Sequence, residues 1–242
     1  MKDFRRLTKD EIDCRIAQID KSWCTLLLYK DARVDMKILD ETVGAMNWQK
    51  RYVRDNANCI VSIWDEEKKQ WIEKEDTGTE SFTEAEKGLA SDSFKRACFN
   101  WGIGRELYTA PTIFIYPRKD MGGITKPDEE SKEFFEKGTK YTTKTRFYVD
   151  YIDYTEEGSI LNLVIRDHKG NIRFEKLTPS KDKEFNNQLL ELQKLIKENE
   201  EDEKFERADF YKYFGVDSDS QLKFTQREKA IELLKERLKK VK

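Results

Sequence analysis

Apolar residues along this chain recur at two spacings, and the switches between them lay out its elements. Thr8-Lys9-Asp10-Glu11 reads as a capping box, and Ile12, Ile16 and Ile19 follow at helical spacing, which predicts a short first helix. Residues 23–29 form an apolar, strand-like run. Residues 33–43 then carry Val34, Ile38, Leu39 and Thr42 on one stripe before a stop at Gly44, predicting a second helix. Three β-rich runs at 48–53, 59–64 and 70–77, separated by Asp55-Asn56 and the charged turn 65–69, read as an antiparallel meander. A second capping box, Thr83-Glu84-Ala85-Glu86, opens a helix with Ala90, Phe94, Ala97, Cys98 and Trp101 on one stripe, closed by Gly102-Ile103-Gly104. That stripe predicts packing on the meander, to which residues 112–116 are a candidate fourth strand. Trp48, Trp64, Trp71 and Trp101, at strand and helix spacing, read as core rather than as stacking platforms.

From residue 117 to 140 the chain is rich in Gly, Pro, Lys and Asp and loses periodicity, the mark of a linker. Residues 146–154, 160–167 and 172–177 alternate, and the turns Glu156-Glu157-Gly158 and His168-Lys169-Gly170-Asn171 join them into a second meander. The remainder is helical: Phe185, Leu189, Leu192 and Ile196 line one helix, and a third capping box from Thr225 to Glu228 precedes Ile231, Leu234 and Leu238. Between them Phe205, Phe210, Tyr211, Tyr213 and Phe214 form an aromatic knot, most simply the core of that bundle. No internal repeat is visible. The expected fold is α+β, an antiparallel β-meander packed on a helix followed by a second small meander and a helical tail. The expected divisions are a core domain over 1–118, a linker over 119–140, a β-meander extension over 141–180 and a helical region over 181–242.

Composition narrows the chemistry. Among 242 residues, 14 Phe, 10 Tyr and 5 Trp supply enough apolar area to offset chain entropy. Lys plus Arg at 46 nearly balances Asp plus Glu at 48, so any nucleic-acid surface must come from local segregation of charge. Cys14, Cys24, Cys59 and Cys98 are scattered without a C-x-x-C pair and lie far from the single histidine, so no metal site and no cofactor are expected. No apolar run approaches the roughly 20 residues that cross a bilayer, and none has signal-peptide length, so a cytoplasmic protein with free thiols and no membrane contact is expected. Gly102-Ile103-Gly104 follows a helix and lacks the third glycine of a dinucleotide fingerprint, and there is no P-loop to drive an ATP-dependent recombinase. His168 reads as a solvated turn residue, Asp92 as a partner of Lys95 or Arg96, and clusters such as Glu73-Lys74-Glu75-Asp76 as chance in so acidic a chain. No catalytic residue is expected.

The segment 87–108 places adjacent cations, Lys95 and Arg96, off the apolar stripe of a helix that ends on glycines and Arg105. Cations fixed on a packed helix can track a phosphate backbone, because neutralising phosphates releases condensed counterions. A Lys-Arg pair on a helix is more often a solvated face. What sharpens the reading is that S-D-S-F-K-R-A (Ser91–Ala97) followed by N-W-G (Asn100–Gly102) resembles the helix signature of the Rad-fifty-two/Sak family of single-strand annealing proteins. Leu7-Thr8-x-x-Glu11-Ile12-x-x-Arg15-Ile16 resembles that family's first helix, residues 29–44 with Arg33-Val34 its second, and Asn47-Trp48 the start of its hairpins, in the same order. The likeness spans residues 7–111, somewhat under half the chain, and is closest to the Sak-type versions of phages of Gram-positive bacteria.

The resemblance implies a β-β-β-α unit that assembles side by side into a homo-oligomeric ring, holding single-stranded DNA in a basic outer groove and annealing complementary strands without ATP. Lys95, Arg96 and Arg15 match positions that hold phosphates in that family. Lys87, Arg33 and Tyr29 match further positions, while Lys50, Arg51 and Arg54 in the hairpin are basic without a counterpart. The chain departs from the family where an arginine is replaced by Phe99, and Arg105 is the candidate to supply that charge. The C-terminal helices read either as an oligomer brace or as a docking site for the host single-strand-binding protein or a phage exonuclease. Competing readings are a passive single-strand-binding protein, a metal-dependent nuclease and a pure assembly protein.

Overall fold

A computed structural model of the chain describes residues 3–79, 85–119, 123–124 and 133–241, with side chains described for all of these except 85–87, 119, 123–124 and 241. The elements run β1 (Asp13–Ile19), β2 (Cys24–Tyr29), α1 (Ala32–Val43), β3 (Trp48–Val53), β4 (Asn58–Asp65), β5 (Gln70–Thr77), α2 (Ala85–Trp101) and β6 (Ile113–Ile115). They continue as β7 (Arg118–Lys119), β8 (Gly123–Ile124), β9 (Phe135–Lys137), β10 (Lys140–Thr142), β11 (Phe147–Tyr154), β12 (Ile160–Asp167), β13 (Ile172–Lys176), α3 (Pro179–Asn199), α4 (Arg207–Phe214) and α5 (Phe224–Val241). The fold is α+β with antiparallel sheets and C-terminal helices. Two compact units divide it, Met1–Asp13 with Leu28–Ala110, and Cys14–Leu27 with Pro111–Lys242.

In the first unit β3, β4 and β5 form the expected meander, with Val61 opposite both Lys50 and Lys74, and Trp64 opposite Trp71. Helix α2 packs on β4 and β5, and its stripe of Phe94, Ala97, Cys98 and Trp101 is buried. Trp48 stacks on Phe94 at 6.2 Å, and the Trp101 indole donates to the Val61 carbonyl at 3.0 Å, which satisfies its one polar atom inside the core. Where β5 runs out, Gly78 donates to the Ala57 carbonyl at 2.8 Å, and a Cβ there would sit 2.5 Å from the Ser93 nitrogen. Only glycine lets strand and helix backbones approach so closely. Trp71 departs from the core reading: it is 38% exposed, edge-on to Trp64 at 5.6 Å.

Helix α1 starts at the expected place, N-capped by Asp31, whose carboxylate accepts from the Arg33 amide at 2.8 Å. The expected first helix does not form. Its capping box is real, with the Thr8 amide donating to Glu11 at 3.0 Å, yet it closes only a 3-10 turn over Lys9–Glu11, and β1 follows. Ile12 and Ile16 fit a helix at i, i+4, and with Cys14 between them they fit strand alternation equally well; pairing with distant strands decides.

The second unit holds a six-stranded sheet in the order β13-β12-β11-β1-β2-β6. One sheet therefore draws strands from both sides of the segment 119–140. The run at 112–116 is a strand, but it pairs with β2, Cys24 opposite Ile115 and Leu26 opposite Ile113, rather than extending the first meander. The segment expected as a linker carries short antiparallel pairs among its described residues, β7 with β8 and β9 with β10. The second meander forms with both expected turns, where Gly158 at φ 88 and Gly170 at φ 83 take the left-handed conformation.

Helices α3 and α5 pack together around Leu192, Ile196, Leu222, Ile231 and Leu234, with Phe205, Phe210, Tyr211 and Phe214 against them, while Tyr213 stays exposed. Phe185 and Phe224 stack at 3.5 Å over Val164 of the sheet. Burial of Phe224 starts α5 before the expected Thr225 cap: the Lys223 amide donates to Gln226 at 2.9 Å, the reciprocal half of a capping box two residues earlier. The second expected cap, Thr83, lies outside the described residues. Arg166, wholly buried on β12, donates to Asp150 at 2.6 Å, to the Gly170 and Ser220 carbonyls at 2.6 and 2.9 Å, and to the Leu222 carbonyl at 3.2 Å. It ties the approach to α5 onto the sheet. No described helix is long and apolar enough to cross a membrane.

Candidate nucleic-acid interface

The meander and α2 place Lys95 and Arg96 off the buried stripe, as the periodicity requires, and send them to different flanks. Arg96 is exposed and its Nε lies 3.2 Å from Asp76 on β5. Lys95, half-buried, acts on the α1 side, where its charge helps to hold down the Asp31 carboxyl. The larger causes of that lowering are the Arg33 side chain, whose Nε lies 2.8 Å from Asp31, and the Arg33 amide. Both charges act on Asp31, and of the two only Arg33 lies within ion-pair distance of it. Asp92 pairs with neither expected cation and instead accepts from the Thr79 amide and hydroxyl at 2.9 and 3.1 Å.

The C-terminal end of α2 gathers a second group of cations around its terminal carbonyls. Arg105 donates to the Phe99 carbonyl at 2.9 Å and to the Asn100 carbonyl at 2.8 Å, and Lys74 donates to the same Asn100 carbonyl at 2.8 Å while lying 4.5 Å from the centre of the Trp101 ring. These contacts answer the negative end of the helix dipole. Sequence reasoning missed Lys74; its signal was alternation, since Lys74 lies directly opposite Val61 on the face that α2 covers.

The remaining expected residues do not join one groove. Lys50 lies 4.3 Å over the Phe94 ring, a cation held at the sheet–helix seam. Arg51 is on the other face of the sheet, paired to Glu73 at 2.9 Å, beside the Ser62–Glu73 and Asn58–Glu75 hydrogen bonds. Arg54 stands in the β3–β4 turn at φ 53, followed by Asp55 and Asn56 at φ 51 and 68. Tyr29 ends β2. Arg15 is exposed on β1, not on a helix, and belongs to the second unit. Lys87 lies on α2 with its side chain outside the description.

Beneath these surfaces sits an ion pair that the sequence reading passed over, Lys30 with Asp35. Asp35 is wholly buried because it shares the α1 stripe with Ile38 and Leu39, at i+3 and i+4, and an acid within an apolar stripe was the available signal. One carboxylate oxygen has no hydrogen-bond partner, and burial pushes the group up to about 6 against the pull of Lys30 and Lys95. Lys30 lies across Gly104, where a Cβ would fall 2.3 Å from its Cε. The same burial raises the Cys98 thiol well above its ordinary value.

No group of three or more His, Cys, Asp or Glu suited to a metal occurs among the described residues. A comparison with protein families, with curated proteins and with solved structures finds no match to this chain.

Proposed function

We propose that this protein binds single-stranded DNA and anneals complementary strands without ATP, as a ring of identical copies acting in phage recombination and repair inside a bacterial host. The reading is carried by one observation: a β-β-β-α unit in which the Lys95–Arg96 pair stands off the buried stripe of α2. Lys74 and Arg105 add positive charge at the end of the same helix. Such a surface holds phosphates and leaves base edges outward, where a second strand can test them. Many copies along one strand would multiply weak phosphate contacts, and base pairing drives the product. The C-terminal helices would brace the ring or receive a host single-strand-binding protein or phage exonuclease.

The test mixes two complementary labelled strands without ATP, with native protein or with Lys95→Ala plus Arg96→Ala. Faster pairing by the native protein, lost in the folded double variant, is the expected result. Strand binding with no faster pairing would replace annealing by passive single-strand binding, and loss of full-length strand with magnesium would indicate a nuclease.

A further inference from the structure

We propose that the second unit carries a separate binding cleft for single-stranded nucleic acid, lined by Lys144, Lys169 and Lys223 around Tyr148. The cleft has a volume of about 1450 Å3 and lies between the β12–β13 turn and the start of α5. Five Lys and Arg residues line it against three carboxylates, in a chain whose net charge is −2, so charge is segregated here in the way a phosphate surface requires.

The carboxylates do not cancel those lysines. Glu133 is engaged by Arg173 at 2.6 Å, by the Arg118 amide at 2.6 Å and by the Thr145 hydroxyl at 2.9 Å. Asp167 is engaged by Arg173 at 3.2 Å and by the Lys169 and Asn171 amides at 3.0 Å each. Only Asp217, an exposed residue of the lining, remains. Among the described residues, Lys144, Lys169 and Lys223 have no carboxylate within ion-pair distance, whereas Arg33, Arg51 and Arg96 of the first unit each have one.

Two further features fit a strand rather than a bare anion. Lys223 lies 4.9 Å over the Tyr148 ring, a contact that a phosphate would draw away, opening the ring face to a base. His168, also on the lining, accepts from the Arg146 amide at its Nδ1 at 3.3 Å, which leaves the neutral ring's proton on Nε2 as a donor. The cleft takes its ligand class from the proposed function but shares no residue with α2, so the two stand or fall separately.

The experiment measures anisotropy of a labelled twelve-residue oligothymidylate across a salt series, using full-length protein. It compares native protein, the triple variant Lys144→Ala, Lys169→Ala, Lys223→Ala, the exposed single variant Lys169→Glu, and the α2 double variant. The triple variant should weaken binding at least tenfold and flatten the log Kd against log salt slope by about 2, since each single-strand phosphate contact contributes about 0.7. Lys169→Glu should weaken it several-fold without touching the core, and bromouracil in the oligonucleotide should cross-link to the peptide bearing Tyr148. Native affinity and slope in the triple variant, with no such cross-link, would overturn the cleft while leaving α2 in place. Loss in the triple variant alone would keep the cleft and overturn the α2 assignment. Thymidine monophosphate or a polyglutamate peptide displacing the oligonucleotide from the cleft at equal molar concentration would overturn the strand as its ligand.

Discussion

The guanidinium of Arg105 lies 5.6 Å from the centre of the Phe99 ring and donates to the carbonyl of the same residue. A positive charge therefore stands over the Phe99 ring, held by the end of α2, near the position where the annealing-protein resemblance leads one to seek an arginine. Arg105→Ala should cost about 1 kcal/mol or less by removing a cation from the negative end of α2, since the Gly102 amide still serves the Phe99 carbonyl and Lys74 the Asn100 carbonyl. It should also flatten the salt dependence of single-strand binding by about 0.7. Arg105→Lys keeps the charge and loses the two-carbonyl fork, so denaturant melts and salt titrations on the pair separate capping from phosphate contact.

Arg96 is partly neutralised by Asp76, which Asn100 also contacts at 3.3 Å. Asp76→Asn keeps a hydrogen-bonding group and removes the charge. If Arg96 faces phosphate, affinity for single-stranded DNA at low salt should rise by about threefold or more, with the gain fading as salt screens it. Unchanged or weaker binding in a folded variant would place the DNA elsewhere.

The buried Lys30–Asp35 pair makes stability depend on pH in an unusual direction. Asp35 keeps its proton up to about pH 6 in the folded state and releases it near 3.8 when unfolded, so folding stability falls as pH rises between those values. Glu11 works oppositely: Arg5, 2.7 Å away, holds its carboxyl at about 2 against an ordinary 4.5, so its contribution is present above pH 4.5 and is lost as pH falls toward 2. Denaturant melts across this range should peak between about pH 4 and 5. Asp35→Ala alone should destabilise by about 3–5 kcal/mol at neutral pH by stranding the Lys30 ammonium. The double change Lys30→Met, Asp35→Leu should be near neutral and should abolish the decline above pH 4.5 while preserving the acid limb.

Arg166 answers four groups from inside the second unit, and Asp150 has no other cation at ion-pair distance among the described residues. Arg166→Met should cost about 3–5 kcal/mol, because it leaves a buried carboxylate and several carbonyls unmet. Hydrogen exchange should show the loss first at residues 218–224, where the approach to α5 is tethered. Uniform loss across the chain would mean that Arg166 serves general packing instead.

Local pattern carried the parts of this fold that are locally determined. The two meanders were legible because alternation ran up to turns built on Asp55-Asn56, Gly158 and Gly170, and α2 because its stripe ended on glycines. What escaped was pairing between distant segments: Ile12 and Ile16 satisfied two periods at once, and nothing near Ile113 or Ile115 announces that Cys24 and Leu26 are its partners. Of the candidate site, Lys95 and Arg96 fell where periodicity put them, but no local rule reveals that Glu73 and Asp76 sit against Arg51 and Arg96. Lysines without an ion-pair partner also line the cleft of the second unit, where the sequence reading placed a β-meander and C-terminal helices and singled out no cation.

The place of β1 between β2 and β11 has a consequence for how the protein is made. During synthesis β1 and β2 leave the ribosome well over a hundred residues before β11, a wait of roughly 6–25 s at about 5–20 residues per second. For that interval Leu26, Leu28 and their neighbours form an incomplete sheet with an open edge, the kind of surface that chaperones bind and that pairs with other nascent chains. A shortened chain ending near residue 118 never leaves that interval. It should collect in inclusion bodies however well its own helices and meander are formed.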